Sequence, residues 1–354
     1  MHDVQASTNK NVYRVAQWAA GRIGRSAMRA VIAHPALDFV GLHVHSADKA
    51  GKDAGELSGL APVGVLATTD IDELISTGPD CVLYMPEGYD IEALEALLNA
   101  GINVITTRSE FFYPQGMESA LRQRIESACN KGGASLFATG CSPGFSTVVL
   151  PLALTYLSRR IDCITIDEFA DIPASTTPEM ITAVMGFGQP PAAQFDQRRL
   201  DHVASGFSQS LQIVAAALGI PLDGFSTRGE FALAREPIAL ANGEIIEAGT
   251  VAGQRITVAA LRNQEAVLQF RANWYCTRQL DQAWELGNSG WRVQLEGDTP
   301  LDVNIRFPKT GGSYADQMSG LTAHPAVNAV PYVCQAAPGI VTNVQLPVMA
   351  PHVA

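Results

Sequence analysis

The sequence predicts an α/β protein in three parts. A Rossmann-type parallel sheet comes first, then a second α+β domain on a mostly antiparallel sheet, and last a helical C-terminal segment returning to the first domain. Three observations lead there. Through about residue 140, short apolar runs alternate with amphipathic helical stretches, the pattern of a parallel sheet with helices on its faces. From about residue 160 the apolar spacing changes to period two, the mark of strands with one solvated face. With 354 residues, 47% of them hydrophobic and 17% charged, the chain has material for about two domains.

The first strand is expected over 12–18, followed by a glycine turn and a helix over 23–34 that carries Ile23, Ala27, Ala30 and Val31 on one face. A second strand, 39–45, follows about 20 residues after the turn, as a β-α-β unit requires. Aligned on the G-x-G-x-x-G fingerprint, the turn offers Ala19, Gly21 and Gly24. The tight-turn glycine is replaced, while those for backbone approach to a pyrophosphate and for close helix packing remain. Unpaired N–H groups at the helix start, around Arg22, Ile23 and Gly24, would face the pyrophosphate, with Arg22 and Arg25 nearby. The alternative is an ordinary strand-to-helix turn.

The second strand ends His45-Ser46-Ala47-Asp48-Lys49, without the terminal acidic residue that an NAD-specific site places on the ribose diol. Ser46 and Lys49 suit the 2′-phosphate of NADP, and Asp48 argues the other way, so NADP is expected with NAD tolerated.

Strands 81–85, 103–107 and 135–138, with helices 90–100 and 116–131, complete the first part. A helix near 144–157 leads to period-two runs at 163–169, 229–234, 255–261, 266–275, 291–296 and 301–307. After Gly311-Gly312, residues 314–336 return to helical spacing. The expected domains are 1–143 for a dinucleotide, 144–310 for substrate and dimerisation, and 311–354 packing on the first.

Composition excludes several functions. A net charge of −11 with no basic stretch argues against nucleic acid. The longest apolar run, 148–157, is too short to span a bilayer, and the polar N-terminus lacks the apolar core of a secretion signal. Six scattered cysteines without a C-x-x-C pair suit free thiols in a reducing cytoplasm. His43 and His45 alternate along a strand and His202 and His324 stand alone, so no metal constellation is expected.

In an open parallel sheet ligands lie beyond the carboxyl ends of the strands. The candidate stretches there are Met85-Pro86-Glu87, Thr106-Thr107-Arg108-Ser109-Glu110 and Thr139-Gly140-Cys141-Ser142-Pro143-Gly144, with Pro86 and Thr107 placed to touch a cofactor. Glu110 is followed by Phe111-Phe112-Tyr113-Pro114. Apolar neighbours disfavour an ionised carboxyl and move it towards working pH, which suits a group that takes and returns protons. The other reading of Glu110 is a salt bridge to Arg108 or a helix cap. Glu87 is a lesser rival, expected to serve a helix start.

Gly140-Cys141-Ser142-Pro143-Gly144 matches the G-x-S-x-G elbow of serine hydrolases but fails physically: the residue after the serine must offer an N–H, and Pro143 has none. Ser142 is instead expected to cap the following helix, with Thr139 and Phe145 facing a cleft. An apolar substrate pocket is expected from Thr139, Phe145, Phe169, Met185, Phe187 and Trp274.

The stretches 19–24, 44–57, 106–114 and 325–331 together resemble the dihydrodipicolinate-reductase-like group that includes 2,4-diaminopentanoate dehydrogenase and the native amine dehydrogenases. The resemblance runs over nearly the whole chain, and 106–114 is its most specific part. It implies a dimeric two-domain enzyme that uses NAD(P)H and ammonia to aminate a small ketone or aldehyde, or runs the reverse deamination of an amine. It also implies that Glu110 is the catalytic glutamate and that Asn328 lies near the nicotinamide. Dihydrodipicolinate reductase itself carries paired histidines and a lysine where this chain reads Asp167-Glu168-Phe169-Ala170-Asp171-Ile172-Pro173, so its own chemistry is not expected. Only five lysines exist (10, 49, 52, 131, 309), none in a candidate substrate stretch, so a substrate without a carboxylate is expected. Alternatives are a carbonyl or imine reductase that does not use ammonia, and a non-catalytic dinucleotide-binding protein.

Overall fold

The computed structural model describes residues 12–191, 195–309 and 311–352. They divide into two compact units: one runs to Gly140 and resumes at Ser319, and the other is Cys141–Met318.

The first unit opens with strands β1 (Tyr13–Trp18), β2 (Leu37–His43), β3 (Ala67–Thr68), β4 (Cys81–Tyr84), β5 (Asn103–Thr106) and β6 (Ser135–Ala138). All their pairings are parallel, in the order β6-β5-β4-β1-β2-β3. This is the doubly wound order whose reversal lies between β1 and β4. Every residue of β4 and β6 is buried, as strands covered on both faces require. Helices α1 (Arg22–Ile32), α2 (Ala54–Ser58), α3 (Ile71–Ser76), α4 (Ile91–Asn99) and α5 (Ser119–Gly132) connect them. Carboxylates cap four of these helices: Asp53, Asp70, Asp90 and Glu118 each accept from a backbone N–H of the first turn. The start of α1, at Gly21, has no side-chain cap and no acidic residue in its first turn.

In the second unit, α6 (Leu150–Thr155) precedes β7 (Ile161–Asp171), α7 (Ile172–Ser175), α8 (Gln197–Ala217), β8 (Gly224–Leu233), β9 (Ile238–Ala239), β10 (Ile245–Ile246), β11 (Val251–Arg262), β12 (Glu265–Tyr275), β13 (Gly290–Gly297) and β14 (Leu301–Arg306). Six strands form one sheet in the order β14-β13-β7-β12-β11-β8, in which only β12 and β7 run parallel. Helix α8 contributes buried Leu200, Val203, Phe207, Leu211 and Val214, and Phe207 stacks on Phe270 at 3.6 Å between ring centroids. Helix α8 has no counterpart among the elements expected from the sequence, although those five residues sit three or four apart. Polar residues alternate with the apolar ones: Asp167, 3% exposed, accepts from Arg271 Nε (2.7 Å) and Nη2 (2.6 Å) and from Asn273 Nδ2 (3.0 Å).

The expected helix over 144–157 needs correction. Ser142 and Pro143 are extended and Gly144 has φ of 126°, so helical backbone begins only after them. Ser142 is therefore no cap: its hydroxyl is buried without a hydrogen-bond partner, and Thr147 Oγ1 accepts from the Gly144 N–H at 3.0 Å.

The chain ends with α9 (Tyr314–Val333), which contains Pro325 and Pro331, and β15 (Gly339–Val341), which pairs in parallel with β6. Ala323, Ala326, Val327, Val330 and Val333 share one core with Val15, Leu83, Ile105 and Phe137 of the first sheet.

Candidate active site

The turn after β1 is the foundation of the site. Ala19 replaces the first fingerprint glycine yet takes a glycine conformation, with φ of 76°. Gly24 meets the packing role: a Cβ there would lie 2.1 Å from Ala19 O. Gly21 has nothing within 4 Å of such a Cβ, so its smallness serves open space in front of the helix. That space belongs to a cavity of about 450 Å³. Ala19, Ala20 and Gly21 line it after β1, Val44, His45, Ser46 and Lys49 after β2, and residues 85–90 after β4. It lies at the carboxyl ends of the strands where the sheet order reverses, the place an open α/β sheet reserves for a ligand.

These residues fit a dinucleotide. An uncapped helix start, an open position at Gly21 and a cavity at the reversal point are what a pyrophosphate needs. At the end of β2, Ser46 and Lys49 line the cavity, whereas exposed Asp48 does not. Trp18 Nε1 donates to His45 Nε2 at 3.2 Å and the Trp18 ring stacks on His43 at 3.6 Å. The His43 Nε2–H donates to Thr69 O at 3.2 Å, which leaves Nδ1 buried and unpartnered, and burial pushes this imidazole's pKa down.

The carboxylate at 110 sits on a single turn of 3-10 helix, Ser109–Phe111, just after β5. Arg108 Nη2 donates to Glu110 Oε1, and Arg108 Nη1 donates to the Glu87 carbonyl on the cavity wall. The salt bridge held open as the other reading of Glu110 is therefore present. It engages one oxygen only: Glu110 Oε2 is buried without a hydrogen-bond partner. Fully buried Phe111, beside it, meets cavity residue Tyr89 edge to face at 5.3 Å. Glu87 does not serve the helix start, because Asp90 caps α4 instead.

Of the other candidates, Gly21, Ser46, Lys49 and Pro86 share the cavity wall. Arg22, Ile23 and Gly24 form the first turn of α1, Thr107 follows β5, and half-buried Asn328 lies on α9; none of these five lines the cavity. Thr139 is 1% exposed and donates its N–H to Thr106 O. Phe187 is fully buried in the core of the second unit, which withdraws it from a pocket wall. Met185 and Trp274 border a cavity of about 620 Å³ in the second unit, and Phe145 and Phe169 do not. Phe145 lies 5.8 Å from the Trp291 ring, and Phe169 packs against Gly287. Sequence reasoning missed the Arg108 bridge to Glu87 and the aromatic cluster of Trp18, His43 and Tyr84. The only available signal was their common place at strand ends.

Residues 147–354 match the family described as 2,4-diaminopentanoate dehydrogenase C-terminal domain, more than half of the chain. The chain belongs to that family. Its first part, residues 18–108, also matches the dihydrodipicolinate reductase N-terminus. Among relatives of this 2,4-diaminopentanoate dehydrogenase family member, an amine dehydrogenase of Streptomyces virginiae is 29% identical over 343 residues, covering 93% of this chain and 95% of that protein. The 2,4-diaminopentanoate dehydrogenase of Acetoanaerobium sticklandii is 23% identical over 289 residues, 78% of this chain and 76% of its own. The solved amine dehydrogenase of Mycobacterium smegmatis shares the fold, with a TM-score of 0.72 at 21% identity over 98% of this chain and 99% of that one.

Proposed function

We propose that this chain is an NAD(P)H-dependent amine dehydrogenase, converting a small ketone or aldehyde, ammonia, NAD(P)H and a proton to an amine, water and NAD(P)⁺, and running the reverse deamination. The observation that carries the reading is Glu110: one carboxylate oxygen held by Arg108, the other buried and unpartnered, beyond the same sheet edge as the switch-point cavity. Membership of the 2,4-diaminopentanoate dehydrogenase family and the near full-length similarity to a protein named amine dehydrogenase support it.

The chain's own part is orientation and proton handling. Arg108 holds Oε1 and leaves Oε2 to accept a proton from the attacking nitrogen and return it to the departing hydroxyl, which leaves as water. The N–H groups at the start of α1 and the open position at Gly21 hold the pyrophosphate. When bound, NAD(P)H supplies the reducing hydride for the carbon–nitrogen double bond. Ser46 and Lys49 on the cavity wall, with Asp48 outside it, favour NADP over NAD. Pro86, on the cavity wall, is a further cofactor contact in this reading, and Thr107 and Asn328 have no support from that wall. Met185 and Trp274 are the expected substrate contacts that have support, as both border the cavity of the second unit. None of the six cysteines forms a disulfide, which accords with a reducing cytoplasm, and a homodimer is part of this reading, checked by sedimentation of the purified chain.

Glu110→Gln keeps the size of the side chain and removes the base. It should lower the amination kcat by about a hundredfold or more while leaving dinucleotide affinity in place. Amination at the parental rate in this variant, or NADPH oxidation with ketones that does not depend on ammonium, would overturn the proposal.

A further inference from the structure

We infer that Gln17 is the positioning residue of the dinucleotide turn, a clamp that holds Ala19 in the conformation the missing fingerprint glycine would otherwise adopt. This rests on the dinucleotide reading above.

Gln17 lies on β1, fully buried, two residues before the turn. Its amide nitrogen donates to Trp18 O at 2.9 Å and to Ala19 O at 3.1 Å. Both neighbours are carbonyl oxygens, so the amide orientation is forced: a flipped side chain would set oxygen against oxygen. The cost of this arrangement is visible at the other end of the amide, where Oε1 is buried with no hydrogen-bond partner. A buried polar atom left unpaired is unfavourable, and an apolar side chain here would avoid it. What the amide provides in return lies at the turn.

Ala19 has φ of 76°, a region that glycine occupies freely and alanine does not. The peptide groups on both sides of this residue are tied. Its N–H donates to His43 O at 2.9 Å, and its carbonyl receives the Gln17 amide. Gly24 on α1 passes so close that a Cβ would lie 2.1 Å from that same carbonyl and 3.0 Å from Gln17 Nε2. The Ala19 carbonyl is thus held between β1 and α1, and its direction sets how the chain leaves the strand for the helix start that faces the cavity. With glycine at 19 the conformation would carry no penalty and the clamp would be dispensable. With alanine it is needed.

The dependence can be measured on the full-length chain with NADPH and NADH as probes, by fluorescence titration and steady-state kinetics. Gln17→Met removes the donor at nearly constant volume. It should weaken binding of the preferred dinucleotide by about tenfold or more, with the loss in cofactor KM rather than kcat. In an Ala19→Gly background the same Gln17→Met change should cost less than about twofold, because glycine needs no clamp. An undiminished affinity in Gln17→Met, or an equal loss in both backgrounds, would overturn the clamp while leaving the dinucleotide reading intact. A parent chain that binds neither dinucleotide refutes both. If Gln17→Met alone does not fold, the doubly substituted chain decides: the clamp requires it to fold and to bind, and failure of either refutes it.

Discussion

Replacing Gly24 by alanine sets two known effects against each other. Within an isolated helix alanine is favoured over glycine by about 1 kcal/mol, so α1 by itself would gain. Against that, the new Cβ would stand 2.1 Å from Ala19 O and 3.0 Å from Gln17 Nε2, where ordinary contacts lie at 3.4–4 Å. The closer partner is backbone, tied on one side to β2 through the Ala19 N–H, so it has no rotamer by which to escape. Either α1 or the turn must withdraw by roughly 1 Å, and overpacking of this kind costs about 3 kcal/mol at the upper end of its range. The balance is a loss of about 2 kcal/mol, or a fall in Tm of about 4–8 °C for a unit of this size. Function should suffer more than stability, since a helix start displaced by about 1 Å from its ligand forfeits one to two orders of magnitude. Differential scanning calorimetry and NADPH titration of Gly24→Ala give both numbers. A variant at least as stable as its parent and with unaltered affinity would show that α1 does not approach the turn this closely, and the fingerprint assignment would fall.

Gly21→Ala is the complementary case, because nothing stands within 4 Å of its Cβ. Its stability should change by less than about 1 kcal/mol, as for other cap positions, while dinucleotide affinity falls at least about tenfold; normal affinity would place the pyrophosphate elsewhere. A pH dependence follows from His43, whose pKa burial holds below the ordinary 6.5, and His34 and His324 are displaced in the same direction. The folded state favours the neutral rings, so their contribution is complete above pH 6.5 and is lost as pH falls through that value towards the lower folded pKa. Thermal melts should show Tm declining below pH 6.5, and a flat or rising Tm from pH 7 down to about 5 would contradict the burial of the His43 ring.

The parallel sheet was legible because its strands are continuous apolar runs between amphipathic helices, and β4, β5 and β6 begin at the residues where the apolar runs begin. The glycine turn was legible because two of the three fingerprint glycines are kept, and at Gly24 no Cβ fits. What escaped the sequence did so for physical reasons. Helix α8 follows a stretch rich in proline and glutamine, and its amphipathic spacing carries polar Gln209 and Ser210 among the apolar residues, which weakens the period. The expected cap at Ser142 looked sound from composition, yet the backbone of 142–144 is not helical, and dihedral angles are not written in residue type. Gln17 reads as a polar interruption of an apolar strand; its meaning depends on carbonyls that only the folded turn brings within reach.

The two readings of Glu110, base or salt bridge, do not exclude one another, because the ion pair occupies only one of its oxygens. Arg271 grips Asp167 with both carboxylate oxygens at 2.7 and 2.6 Å, Arg124 grips Glu95 at 2.8 and 2.7 Å, and Arg292 grips Asp302 at 2.9 and 2.6 Å. These three pairs use the two-pronged fork that gains most from both groups, whereas Arg14–Asp38, Arg122–Glu126, Arg160–Asp162 and Arg228–Glu230 meet through one oxygen each at the surface. The pair at Arg108 is also single-pronged, and it differs from the surface pairs in the buried carboxylate oxygen it leaves unpartnered. One prong holds Glu110 Oε1, the other reaches the Glu87 carbonyl, Arg108 Nε is left buried without a partner, and so is Glu110 Oε2. Two buried polar atoms left unpaired within one ion pair are a poor way to stabilise a protein. They are a sensible way to keep a carboxylate aimed, with one oxygen anchored and the other available to a proton-bearing nitrogen. It is the buried free oxygen, and not the single prong, that favours a catalytic role for Glu110.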